Sequence, residues 1–265
     1  MKWLTDSWYQ PHPVRWLLLP LSLLYQLIIR LRKSAYQHDW LTRHKMPVPV
    51  IIVGNISVGG TGKTPFVIWL SEQLRQAGYQ PGIISRGYGG HSEHYPLDVT
   101  AASDTAAAGD EPVLIARRSG CPVVVAPDRC RAAVHLLSQH HCDVIISDDG
   151  LQHYALQRDI EIVLVDSRRR FGNRLCLPAG PLREPRTRLQ SVDFVVYHGE
   201  AASQRYQMQL SGDHWINLAD PQQRLPRNAF STWSVSRPGW YTRMPLPIIT
   251  STVLKILISV IPCRY

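Results

Sequence analysis

Residues 48–65, with the sequence VPVIIVGNISVGGTGKTP, decide the fold of this chain. The β-branched run at 48–53 predicts a strand that ends at Gly54, and Pro65 predicts the first turn of a helix that ends at Gly78. The loop between them, residues 57–64, matches the pattern G-x-x-x-x-G-K-[ST] except that Ser57 replaces the first glycine. A glycine loop between a strand and a helix predicts a phosphate-binding P-loop.

This loop suits phosphate because its backbone N–H groups can surround the anion and its remaining glycines allow left-handed dihedral angles. Lys63 is expected to contact the β- and γ-phosphates of a nucleotide, and the Thr64 hydroxyl is expected to bind Mg²⁺. The predicted nucleotide-binding residues are Ser57, Val58, Gly59, Gly60, Thr61, Gly62, Lys63 and Thr64.

Further apolar runs alternate with predicted helices along the body of the chain. They are PGIIS (81–85), CPVVVA (121–126), DVIIS (143–147) and IEIVLV (160–165), and a helix is predicted from about residue 128 to residue 139. Near-continuous apolar strands are typical of a parallel sheet that is buried on both faces. The predicted fold class is therefore α/β, a P-loop NTPase-like, mostly parallel sheet with helices on both faces.

Two acidic pairs follow predicted strands or precede predicted helices. Asp148 and Asp149 come directly after DVIIS, where a Walker B carboxylate holds the magnesium shell, although such pairs are also common as solvated loop residues. Asp110 and Glu111 stand just before a helix with Pro112 in its first turn. Helix capping explains that second pair equally well, and the functional alternative is a carboxylate that orients or deprotonates an acceptor hydroxyl.

The charge of the chain is distributed unevenly. Residues 1–45 carry seven basic and two acidic side chains, residues 46–220 carry sixteen and eighteen, and residues 221–265 carry six and none. The nearly neutral body argues against a nucleic-acid partner. The five cysteines contain no C-x-x-C pair, and we predict no metal site from them. Three regions are expected: a membrane-associated segment (1–45), a P-loop core (46–220) and an atypical tail (221–265).

An uncharged and mostly apolar run, WLLLPLSLLYQLII, occupies residues 16–29. As a helix it would be about 21 Å long, which is short of the roughly 30 Å hydrocarbon core of a bilayer. Flanking tryptophans and the basic residues Arg30, Arg32 and Lys33 favour a helix that dips into the cytoplasmic leaflet. A buried core helix and a true membrane span remain as alternatives.

Several motifs together resemble the tetraacyldisaccharide 4′-kinase family of lipid A biosynthesis. They are GNISVGGTGKTP (54–65), SRGYGG (85–90), AGDEPVLIA (108–116), DDGLQH (148–153), RRFGN (169–173) and LPAGPLRE (177–184). The resemblance implies ATP and Mg²⁺ as cofactors and transfer of the γ-phosphate to the 4′-hydroxyl of a tetraacylated glucosamine disaccharide 1-phosphate, which gives lipid IVA. It also implies a peripheral or monotopic location at the cytoplasmic face of the bacterial inner membrane.

By motif match, the resemblance assigns roles to individual residues. Lys63 and Asp110 are implied as catalytic residues, the latter as the group that activates the acceptor. The implied metal-binding residues are Thr64, Glu111, Asp148 and Asp149. The implied contacts to substrate or transition state are Arg86, His153, Arg183 and Glu184, although surface ion pairing explains the two arginines equally well.

The sequence departs from the family after residue 226. Family members continue with a second α/β lobe that carries G-I-G-x-P and P-D-H segments, and neither segment occurs here. The 45 residues from 221 contain no carboxylate, and from this we expect a reading-frame change that replaces most of that lobe. His214 is a poor substitute for the missing histidine. A strongly impaired, nucleotide-binding remnant of the kinase is therefore an alternative function.

Two other functions are disfavoured by particular positions. A membrane-surface partitioning ATPase carries a second lysine early in the P-loop, where this chain has Val58. A GTPase is expected to carry an N-K-x-D motif for guanine, which this chain lacks.

Overall fold

The computed structural model describes residues 2–199, 206–210, 214–217, 224–226, 240–242 and 247–249. Two helices come first, α1 (Lys2–Ser7) and α2 (Val14–Gln37). The helices of the body are α3 (Lys63–Gln76), α4 (Thr105–Ala108), α5 (Asp110–Ser119) and α6 (Arg129–Gln139), followed by a 3₁₀ helix at Arg186–Ser191.

Nine strands of the described part form one sheet in the order β12-β8-β7-β6-β1-β5-β2-β4-β3. Their bounds are β1 Val50–Gly54, β2 Pro81–Ser85, β3 Leu97–Val99, β4 Val123–Val125, β5 Val144–Asp148, β6 Ile160–Asp166, β7 Phe194–His198, β8 Tyr206–Leu210 and β12 Pro247–Ile249. Only β3 and β12, at the two edges, run antiparallel to their neighbours in this sheet. A smaller antiparallel sheet contains β9 (His214–Asn217), β10 (Arg224–Pro226) and β11 (Trp240–Thr242).

Both faces of the main sheet are buried, as the apolar strands predicted. Successive residues of β1 alternate between two cores, with Ile51 and Val53 in one and Val50 and Ile52 in the other. The first core includes α3 residues such as Phe66, and the second includes α6 residues such as Leu136. The expected α/β fold class, a mostly parallel sheet with helices on both faces, is confirmed.

The strand predictions agree with the structure to within two residues, and the differences lie elsewhere. The strands β3, β7, β8 and β9 were not predicted, and residues 221–265 contain the short strands β10, β11 and β12. The apolar run VLKILISVI at residues 253–261 lies outside the described residues. The division of the chain at residues 45 and 220 stays a prediction.

Helix α2 is longer than the apolar run that suggested it, with 24 residues from Val14 to Gln37. By length and composition alone it could cross a membrane. Its apolar side chains are largely exposed, including Leu17 at 78% and Leu31 at 60%, so the core-helix interpretation is wrong. The polar face contacts the body instead, where the buried Ser22 Oγ donates a hydrogen bond to the Cys176 carbonyl at 2.7 Å.

Candidate functional site

The predicted P-loop joins β1 to α3 at the carboxyl edge of the sheet. Gly59 and Gly62 adopt φ angles of 103° and 86°, so glycine is required at these positions. Ser57, by contrast, has an extended backbone that forms an antiparallel bridge with Leu182. Any residue can adopt this conformation, so serine can replace the glycine of the usual pattern. The Val58 N–H donates to the Pro181 carbonyl at 2.8 Å. The segment LPAGPLRE therefore lies beside the loop and supports it.

Lys63, Asp149 and Arg183 form a chain of ion pairs above the loop. Lys63 Nζ lies 3.4 Å from Asp149 Oδ1, and Arg183 Nη1 lies 3.0 Å from Asp149 Oδ2. Burial alone would raise the pKa of Asp149, but the two cations outweigh it and hold that pKa below its ordinary value. Asp149 is therefore a carboxylate at neutral pH, and it positions the lysine that the P-loop presents.

Asp148 has a different environment from its neighbour. It is 1% exposed, and Ser85 Oγ donates to its Oδ2 at 3.3 Å. Burial raises its pKa to about 7 despite the favourable charge of Lys63, while Asp149 and Glu111 add repulsion. Its Oδ1 atom is buried and has no hydrogen-bond partner in the described part of the chain. A buried carboxylate oxygen without a partner, surrounded by other acidic groups, fits a divalent cation such as Mg²⁺.

Asp110 and Glu111 lie in the first turn of α5 rather than before it, and both are exposed. The Glu111 N–H donates to Asp110 Oδ1 at 2.9 Å, which leaves the other carboxylate oxygen of Asp110 available. The SRGYGG loop packs directly on this turn, since a Cβ atom at Gly90 would lie 2.4 Å from the Gly109 nitrogen. The loop that carries Arg86 and the turn that carries Asp110 are thus held together, and Arg86 itself is exposed.

Two of the predicted contact residues have their side-chain partners outside the P-loop. The Glu184 carboxylate, 1% exposed, accepts hydrogen bonds from Gln152 at 2.8 Å and from Tyr154 at 2.5 Å, and it pairs with Arg188 at 3.3 Å. His153 lies against Asp128 and Cys130 at the start of α6. The structure therefore pairs Glu184 with Gln152, Tyr154 and Arg188, and it places His153 beside the start of α6.

Two arginines without a predicted role also contact the site. Arg129, 5% exposed, donates from Nη2 to the Asp149 carbonyl at 3.1 Å. Arg169, from the motif RRFGN, donates to the Gly60 carbonyl and pairs with Asp166 at 3.2 Å. Both follow strands at the carboxyl edge of the sheet, and that position is the sequence signal that could have identified them.

The arrangement combines three chemical capabilities at one edge of the sheet. The P-loop and Lys63 can hold phosphate, Asp148 with Thr64 can hold a divalent cation, and the exposed Asp110 can accept a proton. These are the groups that phosphoryl transfer to a hydroxyl requires.

Comparison with known proteins agrees with this chemistry. The family model LpxK, tetraacyldisaccharide-1-P 4′-kinase, matches residues 14–235. A tetraacyldisaccharide 4′-kinase of Aeromonas salmonicida is 52% identical over 239 residues, covering 89% of this chain and 72% of the relative. The corresponding protein of Nitrosococcus oceani is 59% identical over 192 residues, covering 72% of this chain and 57% of the relative. The chain thus spans between about half and three quarters of the length of these curated relatives.

One solved structure supports the same relationship. The crystal structure of LpxK from Aquifex aeolicus in complex with ATP superimposes with a TM-score of 0.70 at 34% sequence identity. The match covers 82% of this chain and 71% of that one.

Proposed function

Because the chain belongs to the LpxK family of tetraacyldisaccharide-1-P 4′-kinases, we propose that it transfers the γ-phosphate of ATP to the 4′-hydroxyl of tetraacyldisaccharide 1-phosphate. The product is lipid IVA, and the other product is ADP. The observation that carries the proposal is the approach of Lys63 to Asp149, at 3.4 Å, beside the buried Asp148. This arrangement places Lys63, which can bind phosphate, next to Asp148, which can bind a metal cation.

In the proposed mechanism, the P-loop backbone and Lys63 hold the β- and γ-phosphates. Asp148, Asp149, Glu111 and the Thr64 hydroxyl would hold Mg²⁺, which when bound neutralises charge on the phosphate oxygens. Asp148 fits this role best because its Oδ1 lacks a partner in the described structure, whereas Asp149 is already paired with Lys63 and Arg183.

Asp110 is the proposed general base. Its exposed carboxylate would accept the proton of the 4′-hydroxyl as that oxygen bonds to the γ-phosphorus and the bond from phosphorus to ADP breaks. Arg86 and Arg183 would stabilise the charge on the transferred group. Asp110 and Arg86 belong to packed, adjoining turns, so the base and one of these cations are held near each other.

We also propose that α2 places the site at the cytoplasmic leaflet of the bacterial inner membrane, where the acylated substrate resides. Large apolar side chains cover the exposed face of the helix, and Arg30, Arg32 and Lys33 follow them. Apolar insertion together with attraction to anionic headgroups is the usual basis of binding at a membrane surface.

The role of Asp110 is tested with Asp110→Asn in the full chain, with Glu93→Gln as a matched change at another exposed acidic residue. A positioned general base contributes about 10²–10⁴-fold, so Asp110→Asn should lower kcat by that factor. ATP affinity, measured by calorimetry, should change little. Equal kcat values for the two variants would exclude Asp110 as the base.

A further inference from the structure

Three metal-ligand side chains converge where α6 meets the segment after β5. His153 Nε2 lies 3.6 Å from Asp128 Oδ1 and 3.8 Å from Cys130 Sγ. The three ligand atoms all lie within 4.8 Å of one another. Asp128 is the N-cap residue of α6, and His153 comes from the DDGLQH motif, so the cluster joins two separate elements. The cysteine spacing alone predicted no such site.

The distances from His153 Nε2 to Asp128 Oδ1 and to Cys130 Sγ are close to the edges of a small tetrahedral site. Zinc binds sulfur at about 2.3 Å and nitrogen or oxygen at about 2.0–2.1 Å, which places sulfur and nitrogen ligands about 3.6 Å apart and nitrogen and oxygen ligands about 3.3 Å apart. The observed separations of 3.8 and 3.6 Å exceed these values only slightly. These two edges need shifts of only a few tenths of an ångström, and the third, between Asp128 Oδ1 and Cys130 Sγ, is no longer than 4.8 Å.

Burial and the nearby Asp128 raise the pKa of the Cys130 thiol to about 11, so metal binding has to displace its proton. The imidazole and the access from solvent favour binding. Burial lowers the pKa of His153 to about 4, so its imidazole is neutral and able to coordinate at physiological pH. Cys130 is 6% exposed, whereas the Asp128 side chain is half exposed and leaves a route for a cation from solvent. The nearby guanidinium groups of Arg129 and Arg158, both of which act on His153, oppose a cation and moderate the affinity.

We propose that Asp128, Cys130 and His153 form a binding site for one borderline-soft divalent cation such as Zn²⁺, with a fourth position open to water. The thiol of Cys130 loses its proton to solvent when the metal–sulfur bond forms. A thiolate and an imidazole select this class of cation over Mg²⁺, which prefers oxygen ligands. The site is therefore distinct from the one at Asp148.

Arg129 connects the proposed cation site to the nucleotide site. Arg129 stands between Asp128 and Cys130 in sequence, and its guanidinium donates to the Asp149 carbonyl at 3.1 Å. A bound cation would fix the first turn of α6 against the DDGLQH segment. It would thereby restrain the arginine that contacts the backbone of Asp149.

The test is a Co²⁺ titration of the reduced full chain in the presence of excess Mg²⁺, with Co²⁺ as a spectroscopic substitute for Zn²⁺. We expect one equivalent of Co²⁺ to produce a sulfur-to-cobalt charge-transfer band. Cys130→Ala should abolish the band, and Cys142→Ala, at another buried thiol, should retain it. Asp128→Asn keeps a side chain that can cap α6 but removes the carboxylate, and it should weaken Co²⁺ binding at least about tenfold.

The proposal is overturned if the unmodified chain shows no charge-transfer band, or if Cys130→Ala retains the band. It is equally overturned if excess Mg²⁺ displaces Co²⁺, because that would place the ion at an oxygen site. Circular dichroism of each variant confirms that the loss of the band does not come from unfolding. Because kinase activity is not the readout, the outcome is independent of the proposed function.

Discussion

Tyr25 and Arg183 connect the N-terminal helix to the phosphate loop. The Tyr25 hydroxyl donates to the Arg183 carbonyl at 3.1 Å, and the Arg183 N–H donates to the Ile56 carbonyl at 2.7 Å. The Arg183 side chain in turn pairs with Asp149 at 3.0 Å. Arg183 thus contacts three parts of the protein: helix α2, the connection from β1 to the P-loop, and Asp149, which pairs with Lys63.

We expect Tyr25→Phe to lower the free energy of unfolding by about 0.5–1.5 kcal/mol, the usual contribution of one hydrogen bond. Phenylalanine keeps the ring, so the loss reports the bond to Arg183. Tyr88→Phe is the control, because Tyr88 is 80% exposed. Urea unfolding of both variants measures the effect. Equal stability of the two would show that the contact between α2 and Arg183 contributes nothing.

Lys63→Met should reduce the rate of phosphate transfer about 10³-fold, because it removes several kcal/mol of transition-state stabilisation. Binding of ATP with Mg²⁺ should weaken far less. Steady-state kinetics and calorimetry separate these two quantities. Normal turnover with methionine at position 63 would exclude the proposed role of the P-loop.

Leu24→Gln combined with Leu31→Gln should release the chain from vesicles that contain anionic lipid. Both side chains are more than half exposed on α2, and inserting each into a membrane is expected to contribute about 1.5–3 kcal/mol. Val134→Gln, at a residue of α6 that is 60% exposed, is the matched control. Co-sedimentation measures the bound fraction, which for the unmodified chain should also fall with salt.

These substitutions test membrane insertion more specifically than removal of residues 1–33 would. That deletion would also eliminate the hydrogen bonds from Ser22 and Tyr25 to the body. Unchanged vesicle binding of the double variant would contradict membrane insertion of α2.

Asp148 should make the metal-free protein less stable as pH rises. Burial raises its pKa to about 7 from an ordinary value of 3.8, so the folded state keeps a proton that the unfolded state loses in this interval. Its stabilising contribution is full below about pH 4, falls as pH rises toward 7 and then stays constant.

The corresponding variant is Asp148→Asn, which does not titrate. Measured in a chelator, the stability of the unmodified chain relative to this variant should fall by on the order of 2 kcal/mol between about pH 5 and about pH 8. Glu93→Gln, at an exposed residue, is the matched control. A constant difference between unmodified chain and Asp148→Asn would mean that the folded state does not retain this proton.

The strands and the P-loop were predictable because their signals are local. Residues 81–85 were predicted as a strand with the bounds that the structure shows, since an apolar run between turn residues specifies its own ends. Asp148 and Asp149 were correctly expected at the end of a strand for the same reason. The opposite directions of their pKa shifts were not predictable, because burial prevails at Asp148, whereas Lys63 and Arg183, which are distant in sequence, outweigh burial at Asp149.

The remaining differences have tertiary causes. Helix α2 continues beyond the apolar run to Gln37, and there Lys33 contacts Ser191 of the body. Glu184 is buried and accepts a hydrogen bond from Tyr154, which is 30 residues away in sequence, so no local pattern predicts this contact. The cluster of Asp128, Cys130 and His153 likewise depends on how α6 packs against the segment after β5.

The most direct test of the kinase proposal is transfer of labelled γ-phosphate from ATP to tetraacyldisaccharide 1-phosphate by the full chain in mixed micelles. We expect a labelled lipid product with the new phosphate at the 4′ position, strongly reduced with Lys63→Met and with Asp110→Asn. Binding of ATP without any labelled lipid above the level of Lys63→Met would contradict the proposed activity, and it would identify the chain as a nucleotide-binding protein without kinase activity.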